Sequence, residues 1–259
     1  MRFQRRQLEG VAYYVQLSDD DRTTAASLHF GQLGKGAAPR ELLERLSGPD
    51  ASLLPPVYPG KIVCVGLNYR AHAEEMGKAL PEEPLIFLKP PSAVVASGES
   101  IVLPHASTDV HYEGEVAVVM GKVAKDVEEA NALSYVLGYT LMNDVTARDI
   151  QRKEQRYTRA KGFDTFAPLG PTIITHQQPE TMQLETRVNG ELRQRSGLDD
   201  LIFSIPALIA FVSRVMTLEP GDVLSTGTPS GVGSLHEGDV VEVSVPEIGT
   251  LSNPVTRHD

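Results

Sequence analysis

The residues of this chain best placed to do chemistry are two glutamates one position apart, Glu113 and Glu115, in the run His111-Tyr-Glu-Gly-Glu-Val-Ala-Val-Val-Met120. The run has the composition of a buried strand, and a strand puts residues two apart on one face. Both carboxylates therefore point the same way, followed on that face by Ala117 and Val119, which is not the pattern of a solvated sheet surface. At about 4 Å and an effective dielectric of about 20, such a pair repels by roughly 4 kcal/mol. A shared proton, a nearby Lys or Arg, or a divalent cation could each offset that repulsion. For oxygen ligands alone the matching cations are hard ones, Mg²⁺, Mn²⁺ or Ca²⁺.

Asp144 offers a third oxygen ligand. Residues 135–142 form a second buried strand by pattern, followed at once by Asn143-Asp144 and a polar helical stretch over 145–155. At that junction Asp144 is either a ligand or the helix N-cap, a position where Asp is favoured. On the helix, Arg148 and Gln151 lie three residues apart on one side, near the strand end, where they would furnish a substrate pocket beside a metal.

Three further segments carry candidate groups, each with a plain structural alternative. In Gly66-Leu-Asn-Tyr-Arg-Ala-His-Ala-Glu-Glu-Met76, Asn68 can cap a helix on which His72 and Glu75 share a face. A carboxylate beside an imidazole fixes its tautomer and raises its basicity, as a general base requires, although the same spacing also describes a surface ion pair. Lys161 precedes a loop marked by Gly162 and two prolines and is either a basic site group or a solvated lysine. Ser225-Thr-Gly-Thr-Pro-Ser-Gly-Val-Gly233 fits neither a phosphate loop nor a dinucleotide fingerprint. It is a tight turn, or an anion-accepting nest in which Thr228 meets a substrate carboxylate.

The elements that must position these groups are short strands punctuated by Gly and Pro: 61–65, 85–89, 101–103, 113–120, 135–142, 172–174, 183–188, 223–225 and 240–245. Few helices interrupt them, 203–216 being the clearest, so the fold expectation is mainly β with α (α+β), with helices at the edges of a β core. The first part of the chain differs. Strands over 2–8 and 11–17, a polar looping stretch and a short helix over 39–46 end in Leu54-Pro-Pro-Val-Tyr-Pro-Gly60, which outlines a small N-terminal subdomain, 1–58, ahead of a main domain, 59–259.

The chain has 259 residues, 41% hydrophobic and 22% charged, enough for a sizeable core. Its net charge of -10 argues against nucleic acid and anionic membrane surfaces as partners. Cys64, the single cysteine, lies in an apolar run as a small buried side chain. Met1 to Arg6 is not followed by the apolar region of a signal peptide, and no apolar stretch approaches the ~20 residues of a membrane span. The expectation is a soluble cytoplasmic protein.

Taken in order, Gly66-Leu-Asn-Tyr-Arg-Ala-His72, Leu88-Lys-Pro90, Tyr112-Glu-Gly-Glu115, Asn143-Asp-Val-Thr-Ala-Arg-Asp149, Lys161-Gly-Phe-Asp164, Val188-Asn-Gly190 and Thr226-Gly-Thr-Pro229 resemble the fumarylacetoacetate hydrolase family, from about Lys61 to the C-terminus. The resemblance implies a mixed β-sandwich roll, a homodimer, and Mg²⁺ or Mn²⁺ held by Glu113, Glu115 and Asp144. It further implies that His72 and Glu75 form a His-Glu dyad on a lid segment. Lys161 and Gln151 would contact the oxo oxygens of the substrate, Arg148 would sit beside the metal, and Thr228 would meet a carboxylate. The implied substrate is a small 2-oxo or 2,4-dioxo acid, with the metal as electron sink. Carbon–carbon bond cleavage, by acylpyruvate hydrolysis or oxaloacetate-type decarboxylation, is the first expectation. Isomerisation of a 2-hydroxyhepta-2,4-diene-1,7-dioate in aromatic catabolism is the second. A catalytically silent oxo-acid binder or a structural metal protein is the third. Two departures bear on the substrate: Leu67 stands where some members carry an arginine, and the chain is much shorter than the family's founding enzyme, which counts against fumarylacetoacetate itself.

Overall fold

The computed structural model describes residues 1–18, 20–29, 38–175 and 178–257. Its largest sheet runs, in spatial order, Thr23–Ser27, Val11–Leu17, Arg2–Leu8, Ala167–Ile174, Val136–Asn143, Gly114–Met120, Val223–Ser225, Ile62–Gly66 and Leu85–Lys89. Its central strand Gly114–Met120 is buried along its whole length, which is why it is an unbroken apolar run apart from Glu115. One face of the sheet packs on a second sheet of Glu191–Gly197, Gln183–Val188, Val240–Val245, Gly249–Arg257 and Ile101–Leu103. Val116, Val118 and Leu141 of the first sheet share a core with Leu184, Val243 and Leu251 of the second and with Leu208 and Val212 of the helix Ile205–Val215. The opposite face of the first sheet carries Ala117, Val119, Met142 and the buried Cys64 in another core. This is the α+β, strand-dominated architecture expected.

Backbone close approach explains Gly114 between the two glutamates. A Cβ there would stand 2.1 Å from Thr186 Oγ1 and 3.2 Å from Val243, both on the second sheet. The two sheets can meet beside Glu113 and Glu115 because this position has no side chain.

The N-terminal strand Arg2–Leu8 joins the main sheet through the pairs Arg2↔Ile174 and Phe3↔Ile173, while Leu8, Val15, Leu17 and Leu46 form a small core of their own. The polar stretch expected to loop after residue 17 holds the strand Thr23–Ser27, paired with Val11–Leu17, and its residues 19 and 30–37 lie outside the described ones. The strand expected over 172–174 begins earlier, at Ala167, because Ala167 and Pro168 pair with Val94 and Val95. Glu191–Gly197 and Gly249–Arg257 are strands without a sequence signal, since polar residues dominate the first and Pro254 interrupts the second. Among the described residues no helix is long and apolar enough to cross a membrane.

Candidate metal centre

The strand ladder places the carboxylates. Gly114 pairs with Asn143, the Asp144 N–H donates to the Glu113 carbonyl at 2.8 Å, and the Glu113 N–H donates to Asn143 Oδ1 at 2.9 Å. Glu113 therefore sits just before the strand Gly114–Met120, and Asp144 just after Val136–Asn143, side by side. Glu113, Glu115 and Asp144 are all buried, each with a carboxylate oxygen within 4.8 Å of the others.

Cations surround this cluster. Lys161, 2% exposed at the end of the short helix Tyr157–Lys161, donates from Nζ to Glu113 Oε2 at 2.7 Å and to Asp144 Oδ2. Arg148 Nη2 donates to Glu113 Oε1, and its Nη1 donates to Gln151 Oε1 at 2.6 Å. Lys89, fully buried, donates to Asp144 Oδ1 at 2.6 Å and to the Val145 carbonyl at 3.0 Å. Among the described residues no cation donates to Glu115: Ser225 Oγ and the Gly227 N–H, at 3.0 Å, both donate to its Oε2.

These environments push the carboxylates apart. Burial would raise both, but Lys161 and Arg148 overcome it at Glu113 and hold that carboxyl well below the usual range. At Glu115, burial and the neighbouring Asp144 push the carboxyl up to about 8. Burial opposes the charge on Lys161, yet Asp144 and Glu113 raise its pKa above the ordinary value, whereas at Lys89 burial wins and the pKa is lowered. Of the three offsets to the repulsion between Glu113 and Glu115, the protein itself supplies basic neighbours at Glu113 and an environment at Glu115 that favours the protonated form. The donor set also fits the third. Three buried carboxylates with no sulfur or imidazole nitrogen among them suit a hard divalent cation.

The nine candidate site residues line one cavity of about 610 Å³: Glu113, Glu115, Asp144, Lys161, Arg148, Gln151, His72, Glu75 and Thr228. His72, 8% exposed, contacts Glu75 Oε2 from Nδ1 at 2.9 Å, and the Glu75 side chain is 43% exposed, so the pair is buried at its imidazole and open at its carboxylate. Glu75 Oε1 accepts from the Gly231 N–H at 3.1 Å, tying the helix Arg70–Glu75 to the glycine loop. Thr228 Oγ1 donates to the Gly114 carbonyl at 2.8 Å and accepts from Gln194 Nε2 at 2.8 Å.

Two capping expectations are corrected. Asp144 caps no helix: the strand Thr146–Ala147 intervenes, paired with Ala147↔Val110 and Thr146↔His111, and the helix is Arg148–Glu154. Asn68 caps none either. Its amide is committed elsewhere, Nδ2 donating to the Thr226 carbonyl at 2.8 Å and Oδ1 accepting from the Phe203 N–H at 2.8 Å. Sequence reasoning also missed Lys89, Ser225 and Gly227 as partners of the carboxylates. A lysine ending the apolar strand Leu85–Lys89 was a usable signal for the first; for the other two there was none.

The family model for the fumarylacetoacetate (FAA) hydrolase C-terminal domain matches residues 61–256. The oxaloacetate tautomerase YisK of Bacillus subtilis is 45% identical over 208 residues, 75% of this chain and 69% of that one. A crystal structure of 5-carboxymethyl-2-hydroxymuconate delta-isomerase from Mycobacterium smegmatis is 43% identical, with a TM-score of 0.86 and 100% of both chains covered. Fumarylpyruvate hydrolase from Pseudomonas aeruginosa, in complex with Mn²⁺ and pyruvate, is 35% identical with a TM-score of 0.73, covering 80% of this chain and 92% of that one.

Proposed function

We propose that this chain, which belongs to the fumarylacetoacetate hydrolase family, is a divalent-metal-dependent enzyme that transfers a proton at C3 of a small 2-oxo acid, interconverting keto and enol forms. The observation carrying this reading is the His72–Glu75 pair lining the same cavity as the three carboxylates. All the residues it uses fall within 59–259; residues 1–58 serve as a small subdomain extending the sheet.

Glu113, Glu115 and Asp144 would hold Mg²⁺ or Mn²⁺, which when bound withdraws charge from the 2-oxo group and makes the neighbouring C–H more acidic. His72 moves the proton. With Nδ1 directed at Glu75, Nε2 is the nitrogen left for the substrate, and the Glu75 carboxylate stabilises the imidazolium that forms. Lys161 and Arg148 supply positive charge for the substrate oxygens, and Gln151, held by Arg148, supplies an amide donor. Thr228 would have to exchange its bond to Gly114 to meet a substrate carboxylate.

Proton transfer is placed ahead of acylpyruvate hydrolysis because it needs one positioned base and no water nucleophile, and ahead of decarboxylation because loss of CO₂ needs no base and leaves the His72–Glu75 pair without a part in the bond-breaking step. The similarity to a tautomerase at 45% and an isomerase at 43% supports it. Cleavage at C3, whether acylpyruvate hydrolysis or decarboxylation, needs the same electron withdrawal and stands as the second reading. The similarity to fumarylpyruvate hydrolase favours it, as does a cavity wall of Leu85, Phe87 and Tyr157 that could take an acyl group.

The deciding experiment follows enol-oxaloacetate absorbance and pyruvate release together, for oxaloacetate and acetylpyruvate, with Mn²⁺ and after chelation. Metal-dependent enol loss without pyruvate supports the tautomerase. Metal-dependent pyruvate release would move the assignment to cleavage, and inactivity on both with metal bound would leave the diene dioate isomerase, a silent binder or a structural metal protein.

A further inference from the structure

Each carboxylate of the triad has one oxygen already held by a protein donor. Arg148 holds Glu113 Oε1, Ser225 and Gly227 hold Glu115 Oε2, and Lys89 holds Asp144 Oδ1. The second oxygens are Glu113 Oε2, Glu115 Oε1 and Asp144 Oδ2. Lys161 Nζ bridges the first and last of these.

Among these donors Lys89 stands apart. Arg148 and Lys161 line the cavity, where a ligand can reach and displace them, whereas the Lys89 side chain is 0% exposed. It is also pinned by its second bond, to the carbonyl of Val145, the residue after its carboxylate partner. Swinging away would leave a buried ammonium and a buried carbonyl unpaired together, so the hold on Oδ1 persists whatever enters the cavity.

We propose that Lys89 is a positioning residue that sets metal selectivity: by occupying Asp144 Oδ1 it confines that carboxylate to coordination through one oxygen and so favours Mg²⁺ or Mn²⁺ over Ca²⁺. Ca²⁺ gathers about six to eight oxygens and readily takes both oxygens of a carboxylate, whereas Mg²⁺ requires a compact octahedral set. With Asp144 restricted to one oxygen, the triad supplies the larger ion with fewer oxygens than it can take. Lys89 does not line the cavity, so it meets a bound metal through Asp144 rather than directly.

The inference rests on the metal reading of the triad, and the test separates the two. Calorimetric affinities of the full chain for Mg²⁺, Mn²⁺ and Ca²⁺ are compared with those of Lys89→Met and Lys89→Arg. Lys89→Met is expected to shift the Ca²⁺-to-Mg²⁺ affinity ratio towards Ca²⁺ by about tenfold, the scale on which hydrogen-bond partners of metal ligands act, and Lys89→Arg to keep the wild-type ratio. A folded Lys89→Met protein with an unchanged ratio, or with all three metals weakened equally, would overturn the inference. Should Lys89→Met not fold, metal-induced difference infrared bands of wild-type protein carrying ¹³C-labelled aspartate decide, Asp144 being the one aspartate of the triad: a one-oxygen pattern for the labelled bands with both Mg²⁺ and Ca²⁺ is expected, and a two-oxygen pattern for them with Ca²⁺ overturns it. A wild-type protein that binds none of the three ions sinks the metal reading itself, and this inference with it.

Discussion

The cavity has two walls built on different principles. The carboxylate wall is formed by strand ends and buried cations, each carboxylate being held by donors that come from distant parts of the chain. The His72–Glu75 wall is a single short helix, Arg70–Glu75, whose Glu75 is 43% exposed at its side chain and whose tie to the glycine loop is one hydrogen bond. A buried ionic cluster must be complete to be tolerated, because an unpaired charge there costs several kcal/mol. An imidazole on a helix at the cavity edge needs only its orienting carboxylate. The two walls should therefore fail differently: damage to the first removes metal, and damage to the second removes proton transfer and leaves the metal in place.

The largest effect should come from Glu115→Gln. In the metal-free protein at neutral pH the Glu115 carboxyl, raised to about 8, keeps its proton, and Gln copies that neutral form while still accepting from Ser225 and Gly227. The metal-free melting temperature is expected to stay near wild type. Added Mn²⁺ should no longer raise it, and activity should fall by about three decades with the loss of the metal's charge stabilisation. A Mn²⁺-induced shift equal to wild type would break the comparison, since the buried wall would then not depend on this carboxylate.

His72→Gln tests the other wall. We expect kcat to drop by about a hundredfold or more with Mn²⁺ affinity unchanged, read by calorimetry and steady-state kinetics on the same preparation. Normal turnover would remove His72 as the proton-transfer residue; lost metal binding would show that the walls are not independent.

The pH dependence of metal binding gives a smaller, graded effect. A metal needs the Glu115 carboxylate, which the metal-free fold keeps protonated below about pH 8. Binding should release a proton, and apparent affinity should rise by about tenfold per pH unit up to about 8 and then level. The same shift acts on folding. With its folded pKa raised above the ordinary 4.5, this carboxyl contributes most to metal-free stability below the ordinary value, and the contribution is lost as pH rises through about 8. Calorimetry in buffers of different ionisation enthalpy reads the proton directly, and a flat affinity between pH 6 and pH 8 would sink the assignment.

The groups facing the cavity were legible in the sequence because local rules govern them. Period-2 alternation places Glu113 and Glu115 together, a strand end projects Asp144, and helical spacing pairs His72 with Glu75. The contacts that hold them were not legible, although a lysine ending an apolar strand marks Lys89 as unusual. Lys89 reaches Asp144 from a strand 55 positions earlier, and Ser225 and Gly227 reach Glu115 across 110 and 112 positions, contacts that exist only once the sheet has closed. Capping failed as a guide for the same reason: the polar groups of Asn68 and Asp144 that could cap a local helix are taken by distant partners. Strand periodicity found the apolar centre of the main sheet but not the polar strand Glu191–Gly197, whose residues are mostly exposed.

The smallest effect, and the sharpest test of the difference between the walls, is expected for Glu75→Gln. Glu75 makes two contacts, Oε2 with His72 and Oε1 with the Gly231 N–H, and an amide can accept at one position while presenting N–H at the other. If the amide oxygen takes the bond from Gly231, its NH₂ faces Nδ1 and favours the tautomer with the proton on Nε2, the wrong form for a base. If the oxygen takes the bond from His72, the tie to the glycine loop is lost. Either way kcat should fall by a few-fold to about tenfold, the scale of an orienting partner, because His72 itself remains. Stability should change by no more than about 0.5 kcal/mol, as befits a partly exposed pair. Chemical denaturation and kinetics on one sample read both quantities. A stability loss comparable to that of a buried ion pair would mean that the helix wall, like the carboxylate wall, is held by its charges.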